Sequence, residues 1–158
     1  LVRNFTERLT IRNIAQRLDF RSAGVFNILK KLEKQNIVVG EKLGTGLFYS
    51  INFENRIAEH LAAIVLLYSN DKNDIDVQQL RQAKAAIFDN ENLLLVTDSI
   101  TTLDIIIPNV KVIAKSEDET TLLLRKRDAE LLQILKKGTV IFGEDKIVEI
   151  IKNCISRF

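Results

Sequence analysis

The chain has 158 residues, 46% apolar and 28% charged, a composition typical of one ordinary domain or two small globular ones. No apolar run reaches the roughly 18 residues that a membrane-spanning helix needs, and no signal peptide is visible. A single cysteine, Cys154, excludes an internal disulfide and suits a reducing compartment, so we expect a cytoplasmic protein. The first residue is Leu1 rather than Met, and we expect further residues upstream of it.

Charge is divided unevenly along the chain. Residues 1–53 contain nine basic and four acidic residues, a net charge of +5, whereas residues 54–158 contain fourteen basic and seventeen acidic residues, a net charge of −3. A basic lobe joined to an acidic one is expected when only the first lobe meets nucleic-acid phosphates. Strongly acidic partners are therefore expected at the amino-terminal end alone.

Two apolar stripes of helical spacing follow each other in this basic lobe. Both follow the pattern i, i+3, i+4, i+7: Ile11, Ile14, Ala15 and Leu18, then Val25, Ile28, Leu29 and Leu32. Each stripe predicts a helix with these side chains turned inward. Thr10 and Ser22 suit the N-caps, and residues 1–5 suit the end of a preceding helix. The break at 19–22 is short enough for a helix-turn-helix, with the second helix running to about Gln35.

A hairpin is predicted directly after these helices. Residues 37–39 suit a strand, and residues 40–46 suit a flexible tip in which Gly44 and Gly46 are free to adopt positive φ. Apolar residues then alternate from Leu47 to Phe53, as in a strand with one buried face. Three helices followed by a two-stranded wing form the winged helix-turn-helix plan.

The outer face of the second helix is the predicted contact with a DNA groove. Asn27 suits an adenine edge, and Ser22 with the free N–H groups at the helix start suits a phosphate. Phe26 either contacts a thymine methyl or packs beneath the wing, and packing is the favoured alternative. Basic side chains on both helices and the wing would neutralise phosphates. The predicted DNA-binding residues are Arg12, Arg17, Arg21, Ser22, Ala23, Phe26, Asn27, Lys30, Lys31, Lys42 and Thr45.

Residues 9–15, 25–38 and 42–53 (the last reading KLGTGLFYSINF) resemble the winged-helix regulators of archaea and bacteria. The resemblance implies a transcriptional regulator that binds double-stranded DNA. Residues 54–70 predict a helix that is apolar on most sides and packs on the first lobe and on either the second lobe or another subunit. Regulators of this class often dimerise through such a helix, so the resemblance also implies a homodimer. His60, the only histidine, is expected to be a packed or half-exposed side chain.

The remainder predicts an α+β lobe after a polar boundary at residues 69–76. The predicted strands and helices alternate, with a capping box at Ser116 and a turn at Gly143. Cys154 is expected in the core of this lobe. The strands are expected at 85–88, 93–96, 104–108, 110–114 and 139–142, and the helices at 116–137 and 144–156. The expected domains are a DNA-binding domain at 1–53, a linker helix and boundary at 54–76, and a second domain at 77–158.

Residues 83–88, 93–98 and 131–147 resemble the small nucleotidyltransferase-like domain that is fused behind winged helices in archaea. That family binds phosphates with a Gly-Ser pair and divalent metal with two aspartates. Here Phe88 is followed by Asp89-Asn90 and not by Gly-Ser, and the intervening loop is missing. If Asn90 and Asn92 take the places of the two aspartates, both are neutral amides, and Asp104 would take the place of a third carboxylate. We therefore expect a degenerate domain with a mixed sheet that has no catalysis, cofactor or metal. It would serve assembly or ligand sensing.

Two other functions are compatible with these patterns. The second lobe would make the protein a nucleotidyltransferase-type enzyme if it retained activity on a nucleotide or a protein. The winged lobe would make it a protein-interaction module if the helix pair bound another polypeptide. No catalytic triad, zinc-spaced cluster or Gly-rich phosphate loop indicates any other chemistry.

Overall fold

A computed structural model describes residues 1–68, 80, 82–98, 105 and 107–155. Within these residues the protein is α+β, with six α-helices and two sheets. The chain divides into two compact units, Leu1–Leu61 and Ala62–Phe158. The division falls inside the helix that was expected to link two domains. None of the helices in the described ranges is long and apolar enough to cross a membrane.

The first unit begins with a single 3-10 turn, Val2–Asn4, in place of the expected helix end. Strand β1 (Leu9–Thr10) leads directly into helix α1 (Ile11–Leu18). Thr10 is its N-cap, as predicted: the Thr10 hydroxyl accepts a hydrogen bond from the Asn13 backbone N–H, and the Asn13 side chain accepts one from the Thr10 N–H, both at 3.2 Å. Asp19, with a left-handed φ of 52°, ends the helix.

Helix α2 (Ser22–Lys34) follows after a turn of three residues. The prediction that Ser22 caps this helix was wrong, because Ser22 is already its first helical residue. Arg21 occupies the N-cap position with an extended backbone, and no side chain in the described part of the chain caps the helix start. The Arg21 carbonyl accepts the N–H groups of Gly24 and Val25 at 3.0 and 3.2 Å.

Strands β2 (Val38–Leu43) and β3 (Gly46–Ile51) complete a three-stranded antiparallel sheet of order β1-β3-β2. The flexible tip expected at 40–46 is wrong for most of its length, because pairing continues to Leu43 and Gly46. Only Gly44 and Thr45 form the turn, and Gly44 has a φ of +58°. Gly40 lies within β2, where a Cβ atom would come 2.8 Å from the Glu33 carboxylate of α2. The absence of a side chain at position 40 therefore lets Glu33 of α2 lie close to strand β2.

The core of the first unit is built where both helices face this sheet. Its buried residues are Leu9, Ile14, Ala15, Val25, Leu29, Val38 and Tyr49. Two residues of the predicted stripes do not belong to it, since Leu18 is 58% exposed and Ile28 is 52% exposed. Leu18 is the last residue of α1 and lies beyond the buried turn. Ile28 lies about 80° to one side of the inward direction midway between Val25 and Leu29.

Helix α3 (Arg56–Tyr68) crosses the division between the units. The Asn55 side chain accepts the Ile57 N–H at 2.9 Å and donates to the carbonyls of Gln35 and Asn36 at 3.1 Å. This ties the start of α3 to the end of α2. The predicted residues 69 and 70 of this helix, and the boundary at 69–76, lie outside the described residues.

The second unit contains a mixed four-stranded sheet of order β6-β5-β4-β7. Strands β5 and β6 are parallel, and the other two pairings are antiparallel. The inner strands β4 and β5 are almost wholly apolar and buried, as expected for a sheet that is covered on both faces. The strands are β4 (Ala85–Phe88), β5 (Asn92–Thr97), β6 (Lys111–Ser116) and β7 (Thr139–Phe142).

Three helices accompany this sheet: α4 (Glu117–Arg125), α5 (Ala129–Lys137) and α6 (Glu144–Ile155). The single helix expected at 116–137 is therefore two helices. Arg127 adopts a φ of +59°, and Asp128 caps α5 by accepting the Leu131 N–H at 3.0 Å. Ser116 caps α4 as predicted, accepting the Glu119 N–H at 3.1 Å. Of the strand expected at 104–108, only residues 105, 107 and 108 are described, and none lies in a strand.

Candidate nucleic-acid interface

The outer face of α2 carries a compact set of polar and basic side chains. Burial of Val25 and Leu29 fixes the orientation of the helix, and Asn27 lies on the side opposite to them. Asn27 is exposed, as are Ser22 and Ala23 in the first turn. This exposed face of α2 could therefore enter a groove on a partner molecule.

Phe26 and Lys30 lie on one edge of this face and already contact each other. The Lys30 ammonium lies 6.0 Å from the centroid of the Phe26 ring and donates to the Glu33 carboxylate at 2.6 Å. That hydrogen bond raises the pKa of Lys30. The favoured expectation that Phe26 packs beneath the wing was wrong, because its side chain is 42% exposed. A ring in this position is open to an apolar contact from a partner.

The predicted phosphate-binding cations fall into two groups. Arg17 forms an ion pair with Glu7 at 2.5 Å, and Lys30 is paired with Glu33. The second group has no ion pair within the described part of the chain and consists of Arg12, Arg21, Lys31 and Lys42, all exposed. A cation that is already paired must exchange its carboxylate for a phosphate, whereas an unpaired one has no such competition.

The hairpin places the two remaining predicted residues in different settings. Lys42 lies within β2, opposite Leu47, and Thr45 lies in the turn itself. Both side chains are exposed. The region that could approach a DNA backbone is thus the two-residue turn with the ends of both strands.

Sequence reasoning missed an apolar feature of this unit. Leu18, Phe20 and Ile28 are 58%, 63% and 52% exposed. Leu18 and Ile28 fit helical stripes and were placed in the core for that reason. Phe20, an aromatic residue inside a three-residue turn, was the signal in the sequence that the surface here is not purely polar.

In the second unit, residues 89–92 form the turn of the hairpin between β4 and β5. The Asp89 carboxylate accepts the N–H of Asn92 at 2.8 Å, the N–H of Glu91 at 3.3 Å and the Asn92 side-chain amide at 3.1 Å. Asn90 adopts a φ of +75° in the same turn. These contacts account for Asp89 and Asn92 as turn residues. Asp104 lies outside the described residues.

Across the described residues, no group of three or more His, Cys, Asp and Glu side chains is placed to hold a metal ion. Asp98 pairs with Lys84 at the surface, and His60 on α3 is exposed. Known proteins add nothing to this description. No protein-family model, curated protein or solved structure matches the chain. The candidate interface therefore rests on the geometry of α2 and the hairpin.

Cys154 is buried in α6, as predicted, and we expect it to be chemically inert in the folded protein. Burial raises the pKa of its thiol to about 11, and the thiol lies 3.6 Å from the Thr121 carbonyl. Because the thiolate is the reactive form, a disulfide reagent at neutral pH should label Cys154 only after unfolding. The raised pKa also makes the stability of the fold depend on pH. The contribution of the neutral Cys154 thiol is fully present below pH 9, the ordinary pKa of a thiol, and is lost as the pH rises toward 11. Rapid labelling of the native protein at neutral pH would contradict this prediction.

Proposed function

We propose that the protein is a DNA-binding transcriptional regulator whose first unit is a winged helix-turn-helix. In this proposal α1 and α2 are the helix pair, and the β2–β3 hairpin is the wing. The observation that carries the proposal is the exposed face of α2, with Asn27 at its centre, Arg21 at the helix start and Lys31 on the helix, both cations being without an ion pair among the described residues. A convex helix with basic side chains is complementary in shape and charge to a major groove flanked by phosphates.

The start of α2 supplies a further argument for phosphate binding. Among the described residues no side chain caps the helix, so the N–H groups of Ser22 and Ala23 have no capping partner there. A phosphate at this position would accept them and would be favoured by the helix dipole. The Ser22 hydroxyl lies in the same turn. A phosphate contact there would fix the position of α2 so that Asn27 reaches a base edge.

The binding of duplex DNA and its dependence on salt test this proposal. We expect the full chain to bind a labelled duplex of random sequence, with log K falling linearly as log salt rises. Four unpaired cations predict a slope of about −3 to −4 for each bound protomer, since each neutralised phosphate contributes about −0.9. Fluorescence anisotropy over a salt series measures this slope. Absence of binding at low salt would overturn the proposal.

Exposed apolar side chains favour a protein partner as the second candidate function. Leu18 and Phe20 at the interhelical turn, and Ile28 on the side of α2, make the surface of the first unit more apolar than phosphate binding requires. If the first unit is a protein-interaction module, affinity capture should give a stable heteromeric complex while duplex DNA does not bind. The two outcomes together would replace the DNA-binding proposal.

We also propose that the second unit is a nucleotidyltransferase-like domain without catalysis. The use of Asp89 and Asn92 as hairpin residues supports this, because neither is then free to organise phosphates or metal. Titration calorimetry of the full chain with Mg²⁺ and ATP is the direct test, and we expect no heat of binding. Saturable binding that requires both Mg²⁺ and ATP would favour the enzyme instead.

A further inference from the structure

Asn27 on α2 lies between two large apolar side chains that are both exposed. Successive residues of a helix are about 100° apart around its axis, so Phe26 and Ile28 flank Asn27 on its two sides. Phe26 is 42% exposed and Ile28 is 52% exposed, although both were expected to be packed. Val25 and Leu29 supply the buried contacts of this part of the helix. The two flanking side chains are thus left for a partner.

The ring of Phe26 is held in place by neighbouring side chains of α2. The Lys30 ammonium lies 6.0 Å from the ring centroid and donates to the Glu33 carboxylate at 2.6 Å. A cation–π contact favours one position of the ring. A side chain that is ordered before binding loses less entropy when a partner covers it. Phe26 is therefore a preorganised apolar contact beside Asn27.

The first two turns of α2 contain no charged side chain. Residues 22–29 read SAGVFNIL, and the N-terminal turns of a recognition helix are the ones that contact base edges. Guanine is most often read by Arg or Lys, and the N4 amino group of cytosine by Glu or Asp. The nearest cations are placed differently, since Arg21 precedes the helix and Lys30 is paired with Glu33. This part of α2 is therefore poorly equipped to read G·C pairs.

The same residues suit the major-groove edge of A·T pairs. An Asn side chain can form two hydrogen bonds with adenine N6 and N7, and thymine presents a methyl group that apolar side chains contact. Ala23, which is exposed one turn before Asn27 on the same face, offers a further apolar contact. Ala23 and Asn27 are about 6 Å apart along the helix, or roughly two base-pair steps. One face can therefore meet neighbouring pairs together.

We propose that α2 selects A·T-rich sites, with Asn27 reading adenine and with Phe26 and Ile28 contacting the methyl groups of neighbouring thymines. This inference rests on the proposed DNA binding of the first unit, in which phosphate contacts give affinity but no choice of sequence. Apolar contacts release no counterions from phosphates. The part of the affinity that comes from the methyl groups should therefore be the same at low and high salt.

Replacement of thymine by uracil tests the proposal, because it removes the methyl group and keeps the pair with adenine. Fragments that the full chain selects from random duplexes supply the reference site, which we expect to be rich in A·T pairs. Burial of one methyl group changes affinity about fourfold, so the uracil duplex should bind about 4- to 16-fold more weakly if one or two are lost. Fluorescence anisotropy at two salt concentrations should give the same ratio. Exchange of the central A·T pairs for G·C should weaken binding at least about tenfold.

Variants of α2 assign these effects to residues. Phe26→Ala with Ile28→Ala should bring the thymine-to-uracil affinity ratio close to one, and Asn27→Ala should reduce the preference for A·T over G·C about tenfold. All three side chains are exposed, so circular dichroism should show folded variants. Leu122→Ala is the matched control, because Leu122 is 49% exposed on α4 in the second unit and both ratios should stay unchanged.

The outcomes separate this inference from the proposed function. Duplex binding with equal affinity for thymine and uracil, or a selected site without A·T pairs, would overturn the inference and leave the DNA-binding proposal standing. A uracil effect that the double variant retains would also overturn it, because other residues would then contact the methyl groups. Absence of any duplex binding by the unmodified chain would overturn both proposals.

Discussion

Replacing Gly143 by alanine is expected to destabilise the second unit by about 2–4 kcal/mol. Gly143 has a φ of +77°, which costs a residue with a side chain about 1 kcal/mol. A Cβ atom there would also lie 2.2 Å from the Lys84 carbonyl oxygen and 2.6 Å from Ala85. Ala85 is wholly buried at the start of β4. The backbone at Lys84 and Ala85 therefore cannot move away from Gly143 without disturbing the sheet. Such overpacking typically costs a further 1–3 kcal/mol.

Gly44→Ala separates the two contributions. Gly44 has a similar φ of +58°, but apart from its two chain neighbours no atom of the described residues lies within 4 Å of where its Cβ would be. We expect this variant to lose only about 1 kcal/mol, in the first unit. Urea denaturation followed by circular dichroism gives the total loss, and hydrogen exchange of amides in β4 or β3 assigns it to a unit. Equal losses for the two variants would show that the close approach at Gly143 carries no cost.

The helices and most strands could be predicted because their signals are local. The stripes of α1 and α2 repeat every three to four residues, and β4 and β7 are short apolar runs with bounds that the structure reproduces. Thr10 could be assigned as an N-cap from its position before an apolar stripe. The α+β class follows from these elements alone, since helices and strands both recur along the chain.

The errors arose where tertiary contacts decide the structure. Gly40 suggested a turn, but its glycine allows Glu33 to approach strand β2. Leu18 and Ile28 matched the helical period, but burial depends on which elements cover the helices and not on the period alone. The break between α4 and α5 contains neither Gly nor Pro, and its left-handed residue is Arg127. Among residues other than Gly, Asn and Asp adopt this conformation far more readily than Arg does, so a helix break at Arg127 could not be predicted from the sequence.

The pairing of the cations was only partly visible in the sequence. Lys30 and Glu33 are three residues apart on one helix, so their contact could be expected. Arg17 and Glu7 are ten residues apart and meet only because the chain folds back before α1. From sequence alone, Arg17 and Lys30 were as suitable for phosphate binding as any other basic residue. The structure changes which cations should be mutated first.

Joint replacement of Arg21 and Lys31 by alanine is expected to weaken DNA binding by roughly 30- to 100-fold at 0.1 M salt and to reduce the salt slope by about 2. Both side chains are exposed without an ion pair in the part of the chain that the structure describes. Each is therefore free to displace a counterion from a phosphate. Fluorescence anisotropy with the same duplex over a salt series measures affinity and slope together.

Two matched double variants distinguish local contact from net charge. Lys126→Ala with Arg127→Ala removes the same two charges from the second unit, where both side chains are exposed, and should leave the slope unchanged. Arg17→Ala with Lys30→Ala should reduce the slope by less than about 1, because Glu7 and Glu33 already compensate those cations. A graded response, largest for Arg21 and Lys31, would locate phosphate contacts beside α2. Equal losses in all three would mean that only the total charge of the chain matters, and the proposed interface would then be wrong.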